Sequence, residues 1–191
     1  MRHDTVRSCE WICGSLWAIQ LMLEYAMNYN PVSIKEAALV RLRPACAADC
    51  RMVWEWANDP LVRSQSFASD PIPWESHVAW FKRALRDPDM RLYIAESSAP
   101  VGLARFESRN GETLISVTIA AAYRGRGLGS ELTKLASSEM LRNPSVAAIH
   151  AYIKPENPAS IAMVVAAGYE RGGEVVREGS RALHFVLRGK R

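Results

Sequence analysis

This 191-residue sequence has little charge imbalance and no run of lysine or arginine. Its 24 basic residues exceed its 20 acidic residues by only four, and they are scattered along the chain. Proteins that follow a nucleic-acid backbone cluster positive charge in a patch or stripe, so a nucleic-acid partner is not indicated. The slight basic excess still suits a ligand that carries several phosphates.

The sequence also has no apolar segment long enough to cross a membrane comfortably. The most apolar stretch, Trp11–Met27, is interrupted by Gln20 and Glu24 and is shorter than a typical span. Asp4 places a negative charge where a signal peptide has a basic N-terminal region. We therefore predict no membrane partner and a cytoplasmic protein. We expect residues 1–37 to be a helical extension that packs on the domain or on a partner subunit, or an upstream start-codon extension.

Cysteine is scarce: the chain has only Cys9, Cys13, Cys46 and Cys50. Structural zinc sites usually use C-x-x-C pairs, whereas both pairs here are C-x-x-x-C. We therefore predict no metal site. The i, i+4 spacing fits reduced thiols on helices, and disulfides are not expected in the cytoplasm.

Hydrophobic periodicity predicts one α/β domain over residues 38–191. Leu39–Pro44 alternates like a first strand, and helices are predicted over Asp49–Asn58 and Trp74–Leu85. An antiparallel meander follows, in which Asn110-Gly111 is the strongest hairpin signal. Further strands are predicted over residues 91–96, 101–108, 113–120, 148–153, 174–177 and 182–187. The expected fold is a mostly antiparallel sheet of about six to seven strands flanked by helices.

A glycine-rich turn, Arg124-Gly125-Arg126-Gly127-Leu128-Gly129, joins an apolar strand to a helix that begins near Ser130. Closely spaced glycines let backbone N–H groups approach an anion at the start of a helix, where the helix dipole adds positive charge. A P-loop is excluded because no Gly-Lys pair stands at the required distance, and the dinucleotide fingerprint lacks its third glycine. The turn is therefore predicted to cradle a pyrophosphate of another kind of ligand.

Two motifs in register resemble the GNAT superfamily of N-acetyltransferases. The segment from Arg124 to Gly129 is similar to its acetyl-CoA signature R-x-x-G-x-G. Asn157-Pro158-Ala159-Ser160, an apolar helix and then Gly168-Tyr169 are similar to its later motif N-x-x-A/S followed by G-F/Y. The resemblance implies a GNAT-like sheet and acetyl-CoA as the co-substrate, with no metal.

The resemblance also implies which residues hold acetyl-CoA. In this superfamily the strand before the cradle pairs with pantetheine as if the ligand were another strand, and a backbone N–H near Ile119 would stabilise the oxyanion. The predicted cofactor-binding residues are Val117, Thr118, Ile119, Arg124, Gly125, Arg126, Gly127, Leu128, Gly129, Ser130, Asn157 and Ser160.

The reaction needs a base for the attacking ammonium and an acid for the departing thiolate. His77, Glu75 and Glu107 are the possible bases. Many relatives use a tyrosine four residues after the motif's Ser/Ala as the general acid, but this sequence has Val164 there. Either water protonates the thiolate, which a thiol pKa of about 8.5 makes feasible, or another hydroxyl such as Tyr152 or Ser160 does.

A looser resemblance concerns the acceptor. The patterns W-x-N-D-x-x-V-R-x-x-S-F from Trp56 and I-x-x-x-x-H-x-x-W-F from Ile72 are similar to amino-sugar N-acetyltransferases of pseudaminic acid biosynthesis. That resemblance implies a UDP-linked 4-amino-4,6-dideoxy sugar as the acceptor, with aromatic residues for uracil and arginine for the diphosphate. The predicted substrate-binding residues are Arg63, Phe67, Trp74, His77 and Arg105.

Three functions remain open from the sequence. The first is N-acetylation of a nucleotide-linked amino sugar, and the second is N-acetylation of a peptide, a ribosomal protein or a small amine. The third is an acyl-CoA-binding module without catalysis, which Val164 in place of tyrosine suggests. A homodimer is also expected.

Overall fold

The computed structural model describes residues 40–189, and its elements follow the predicted order. The strands are β1 (Arg41–Pro44), β2 (Met90–Glu96), β3 (Pro100–Arg109), β4 (Glu112–Ile119), β5 (Ala148–Ile153), β6 (Glu170–Arg177) and β7 (Ser180–Arg188). The helices are α1 (Cys50–Ala57), α2 (Pro60–Gln65), α3 (Trp74–Ala84), α4 (Leu128–Met140) and α5 (Pro158–Ala166).

The strands form a seven-stranded sheet in the order β1-β2-β3-β4-β5-β7-β6. Only β4 and β5 pair in parallel. The β3–β4 hairpin turns on Asn110 and Gly111, with φ of 53° and 81°, as the Asn-Gly pair predicted. Glu178 and Gly179 turn the β6–β7 hairpin in the same way, with φ of 48° and 74°. The predicted mostly antiparallel sheet is confirmed.

Alternation along the strands divides the core between the two faces of the sheet. Ala104 and Phe106 of β3 pack with α4 and α5 in one cluster, together with buried residues of β5 and β7. Leu103, on the opposite face of β3, packs with β2, α1 and α3 in a second cluster. Because side chains of a strand alternate between faces, Arg105 shares the face of Leu103.

The sequence patterns missed one helix and shortened one strand. The first helix is predicted to end at Asn58 and the next to begin at Trp74, but Asp59 starts α2 between them. Its Oδ1 accepts from the N–H groups of Leu61 and Val62, and proline occupies the first helical turn. Strand β6 begins at Glu170 rather than Glu174. The pattern missed its first four residues because they are exposed and give no alternating apolar signal.

The described residues add two observations on the expected absences. No helix in this part of the chain has the length and hydropathy for a membrane span, and residues 40–189 hold no cluster of three or more metal-ligating side chains. Cys46 and Cys50 are free thiols. Cys9, Cys13 and the predicted N-terminal extension lie outside the described residues.

Candidate active site

Strands β4 and β5 pair briefly and then separate. Their parallel register covers only Thr113 with Ile149 and Leu114 with His150, although β4 continues to Ile119 and β5 to Ile153. Beyond Leu114 the two strands leave an opening in the sheet, which we call the β4–β5 opening. It lies beside the strand segment that was predicted to hold pantetheine.

The backbone of β4 directs donors into the β4–β5 opening. Ala120 donates its N–H to Val101 O in β3. Because successive residues of a strand direct their N–H groups to opposite sides, Ile119 and Val117 direct theirs toward β5. A ligand in the opening can therefore add to β4 as a further strand, and the Ile119 N–H is available as an oxyanion donor. Thr118 turns its backbone toward β3, so it contributes its side chain on the face shared with Arg105.

The glycine-rich turn forms an open cradle at the end of β4. Gly125 and Gly127 have φ of 74° and 79°, and a Cβ atom at either position would meet no atom within 4 Å. Gly127 is also the N-terminal cap of α4 and has no side chain to satisfy that helix end. The first N–H groups of α4, from Leu128 to Ser130, are thus directed to the open space, as an anion site requires. These residues fit the pyrophosphate of coenzyme A.

The two arginines of the cradle have different positions. Arg126 is exposed, with its Cζ 5.5 Å from the ring centroid of Tyr123, and can reach an anion in the cradle. Arg124 instead points back into the protein, where Nε donates to Ile119 O (3.1 Å) and Nη2 lies 2.9 Å from Oδ1 of Asp59. The geometry therefore favours a structural role for Arg124 over the predicted contact with phosphate.

The second motif forms the start of α5 beside the cradle. Asn157 caps this helix by accepting from the Ser160 N–H (3.0 Å), so its side chain acts on the fold. A Cβ at Gly129 would lie 3.0 Å from Met163 Sδ, which shows how closely α4 and α5 approach. Ser160 is half-buried. Val164, which has no proton to donate, is 2% exposed and belongs to the core.

Tyr152 borders the β4–β5 opening on the face of Arg105. His150 is the last residue of β5 that pairs with β4, and Tyr152 lies two residues beyond it. The Tyr152 ring stacks on His184 with centroids 4.7 Å apart. His184 in turn stacks on His150, and their Nε2 and Nδ1 atoms are 2.9 Å apart. Burial and then the positive charge of neighbours, including His150 and Arg177, lower the pKa of His184. Of the predicted catalytic residues, Tyr152 is the one beside the opening.

The predicted bases are less well placed. His77 is 2% exposed in the α1–α3 core, its Nε2 lies 3.1 Å from Cys50 O, and burial lowers its pKa. Glu107 lies opposite Leu114, where the strands still pair, and is ion-paired with Arg109 at 2.6 Å. At about 3.3 Å per residue, that is roughly 10–17 Å along the sheet from Val117–Ile119. Glu75 is exposed at the start of α3.

The predicted acceptor residues also divide by position. Arg63 is used by the protein itself, because its guanidinium donates to Ala57 O, Ala68 O and Ser66 Oγ. Trp74 packs against Trp54 and His77 between α1 and α3. Both placements favour structural roles. Phe67 is half-buried in the segment that Arg63 organises.

Arg105 is the predicted acceptor residue that lies near the β4–β5 opening. It is half-buried, donates to Ser116 Oγ (3.2 Å) and lies over Trp80, with its Cζ 5.7 Å from the ring centroid. Ser116 is on the separated part of β4. Lys154, which the sequence did not single out, ties the end of β5 to α2 through Ser64 O (3.0 Å).

The separated strands and the anion cradle together fit an acyltransferase that uses a coenzyme A thioester. The family model described as "Acetyltransferase (GNAT) domain" matches residues 40–170. The chain therefore belongs to the GNAT acetyltransferase family, and it is an acetyl-CoA-dependent N-acetyltransferase. No curated protein matches this sequence.

Solved structures share the fold at low sequence identity. The aminoglycoside acetyltransferase AAC(6')-Ib, in complex with coenzyme A and kanamycin, has a TM-score of 0.68 and 23% identity, over 78% of this chain and 94% of that one. A spermidine N-acetyltransferase from Vibrio cholerae, in complex with CoA and spermine, has a TM-score of 0.71 and 17% identity, over 78% and 95%. An uncharacterized protein from Bacillus halodurans has a TM-score of 0.67 and 16% identity, over 78% and 83%.

Proposed function

We propose that this protein acetylates the amine of a small acceptor that also carries an anionic group, with a UDP-linked 4-amino-4,6-dideoxy sugar as the leading candidate. The observation that carries the proposal is the β4–β5 opening, which has an anion cradle at its end and a basic face beside it. Acetyl-CoA, when bound, supplies an acetyl group to the acceptor nitrogen and leaves as the coenzyme A thiol.

The residues of the chain perform three tasks in this proposal. The cradle from Gly125 to Ser130 holds a pyrophosphate through backbone N–H groups, while Arg126 adds positive charge. Val117 and Ile119 orient the pantetheine arm, and the Ile119 N–H stabilises negative charge on the carbonyl oxygen. The amine proton passes to water, since the predicted bases lie away from the opening, and Tyr152 is placed to protonate the departing sulfur.

The charges beside the opening favour an anionic acceptor over a polycation. Asp59 at the start of α2 is paired with Arg124. Glu107, which lies farther from the opening on β3, is paired with Arg109. A polyamine or an aminoglycoside requires carboxylates that are still available. Arg105 and Lys154 instead add positive charge. Kanamycin and spermine, which are bound in two of the similar structures, are both polycations, so we expect this chain to differ from those proteins in its acceptor.

The test is coenzyme A release and product mass with a panel of acceptors: the UDP-amino sugar, basic peptides, a polyamine and an aminoglycoside. Acetylation of the nucleotide sugar alone would support the proposal. Acetylation of peptides or cationic amines would assign the second function named from the sequence. Tight acetyl-CoA binding without turnover of any acceptor would assign the non-catalytic module.

The same proposal includes a cytoplasmic homodimer. Acetyl-CoA is a cytoplasmic metabolite, and β6 is an edge strand whose Val176 is 76% exposed. Edge strands with exposed apolar residues are prone to pair with another chain. Light scattering measures the mass in solution, and a monomer at micromolar concentration would contradict the dimer.

A further inference from the structure

The β6–β7 hairpin carries four arginines, and one of them differs from the rest. Arg171 and Arg181 both pair with Glu174, and Arg188 pairs with Glu170. Arg177 has no carboxylate partner among the described residues. It is half-buried, and its Cζ lies 4.1 Å from the ring centroid of Tyr152.

The contact between Arg177 and Tyr152 joins the end of the β6–β7 hairpin to β5. Along β7, Arg177 is opposite Ser180, whereas Tyr152 is opposite His184. The two backbone positions are therefore offset by four residues along the sheet. In flat strands that offset is about 13 Å. The side chain of Arg177 therefore reaches from the edge strand β6 to Tyr152, which borders the β4–β5 opening.

The aromatic stack fixes the guanidinium without using its donors. Tyr152 lies nearly parallel to His184, with an interplanar angle of 11°, and His184 is parallel to His150 within 8°. Stacking on a ring engages the flat face of a guanidinium and leaves its N–H edge free. A planar fork of this kind matches the two oxygens of a carboxylate or phosphate.

We infer that Arg177, held against Tyr152, binds the phosphate or carboxylate of the acceptor whose amine enters the β4–β5 opening. This inference rests on the proposed function and assigns its anion site to a residue that the sequence patterns did not indicate. Arg177 takes a role that the resemblance implies for Arg63 or Arg105. The donors of Arg63 serve the backbone of its own segment.

The experiment compares two acceptors that share one amine: the UDP-linked 4-amino-4,6-dideoxy sugar and the methyl glycoside of the same amino sugar. Arg177→Gln is expected to raise the KM of the UDP-linked acceptor about tenfold or more. The KM of the methyl glycoside and of acetyl-CoA should stay within about twofold. Arg177→Lys should restore part of the affinity, since it keeps the charge and loses the fork.

Arg181→Gln is the matched control, because it removes an arginine of the same hairpin that is already paired with Glu174. It should leave all three KM values unchanged. An equal loss for both acceptors in Arg177→Gln would indicate a structural role, and a raised KM for acetyl-CoA would place Arg177 at the coenzyme. Either result overturns the inference, as does wild-type turnover of cationic amines with no preference for the UDP-linked sugar.

Failure of the proposed function gives a different result. If no amine is turned over, calorimetric titration of the UDP-linked sugar into the coenzyme A complex still measures binding. Affinity that Arg177→Gln weakens and Arg181→Gln does not would support the anion site in a protein without this activity. Equal affinity in the wild type and Arg177→Gln would overturn it.

Discussion

Arg124 and Asp59 join the cradle to the second helix, 65 positions apart in the chain. Nη2 of Arg124 is 2.9 Å from Oδ1 of Asp59, and the two side chains are 28% and 21% exposed. The same carboxylate caps α2, and Nε of Arg124 holds Ile119 O at the end of β4. Burial opposes the charge of Asp59, but Arg124 and the N–H groups of Leu61 and Val62 outweigh it and lower the pKa of Asp59. One ion pair thus connects the glycine-rich turn with the start of α2.

Asp59→Asn tests that connection. Asparagine keeps the cap of α2 but removes the charge, so we expect a loss of about 1 kcal/mol in the free energy of unfolding for this partly shielded pair. Urea denaturation of a double-mutant cycle with Arg124→Gln should give a coupling energy of similar size. The exposed pair of Arg51 and Glu55, with side chains 63% and 56% exposed, is the control and should couple more weakly. Equal coupling in the two cycles would contradict the structural role of Arg124.

Gly127→Ala tests the cradle. The added methyl group enters the open space predicted for the pyrophosphate, so the Kd of acetyl-CoA should rise at least tenfold, as measured by calorimetry. Alanine at a φ of 79° also adds strain of about 1–2 kcal/mol. Gly111→Ala is matched for that strain, because Gly111 has a φ of 81° and equally open surroundings in a hairpin turn. It should destabilise the protein similarly while leaving the Kd unchanged, and a similar rise in Kd for both variants would refute the assignment.

His77→Phe separates a base from a core residue. Phenylalanine keeps a ring against Trp74, Trp80 and Phe81 but removes the contact with Cys50 O. We expect kcat within about twofold of the wild type and a loss of about 1 kcal/mol in the free energy of unfolding at pH 7.5. A fall in kcat of a hundredfold with unchanged stability would restore His77 as the base.

The pH dependence of His77→Phe provides a second readout. Burial lowers the pKa of His77 below the ordinary value of 6.5, so at acid pH the unfolded chain binds a proton that the folded protein does not. The free energy of unfolding should therefore fall as pH decreases from 7.5 to 5.5. The fall should be smaller in His77→Phe, with His184 accounting for part of what remains. An equal slope in the two proteins would contradict the buried neutral histidine.

Tyr152→Phe tests the proton donor while preserving the stack with His184 and Arg177. Loss of the hydroxyl should lower kcat by about 10–100-fold, while the KM of each substrate stays nearly constant. An acetyl thioester whose leaving thiol has a lower pKa than coenzyme A should depend less on the proton donor. With that substrate, Tyr152→Phe should lower kcat by a smaller factor. Unchanged kcat with acetyl-CoA would mean that water protonates the sulfur.

The sequence determined what depends on neighbouring residues. Strand alternation, the Asn110-Gly111 turn and the glycines at 125, 127 and 129 are local signals, because each follows from backbone conformation within a few positions. They were sufficient for the mostly antiparallel sheet and the GNAT family. The same local reasoning could have found α2, since Asp59-Pro60 is a typical cap and first turn.

Only the tertiary structure decided how the site is completed. Three features of the site involve residues that are 25 to 65 positions apart in the chain. They are the separation of β4 from β5, the pairing of Arg124 with Asp59 and the contact of Arg177 with Tyr152. No local pattern shows whether an arginine faces a ligand, its own backbone or an aromatic ring. Arg63 and Arg177 carry the same charge in the sequence, yet the fold surrounds one with carbonyl groups and sets the other on a tyrosine, because long-range packing fixes which acceptors lie within hydrogen-bond distance.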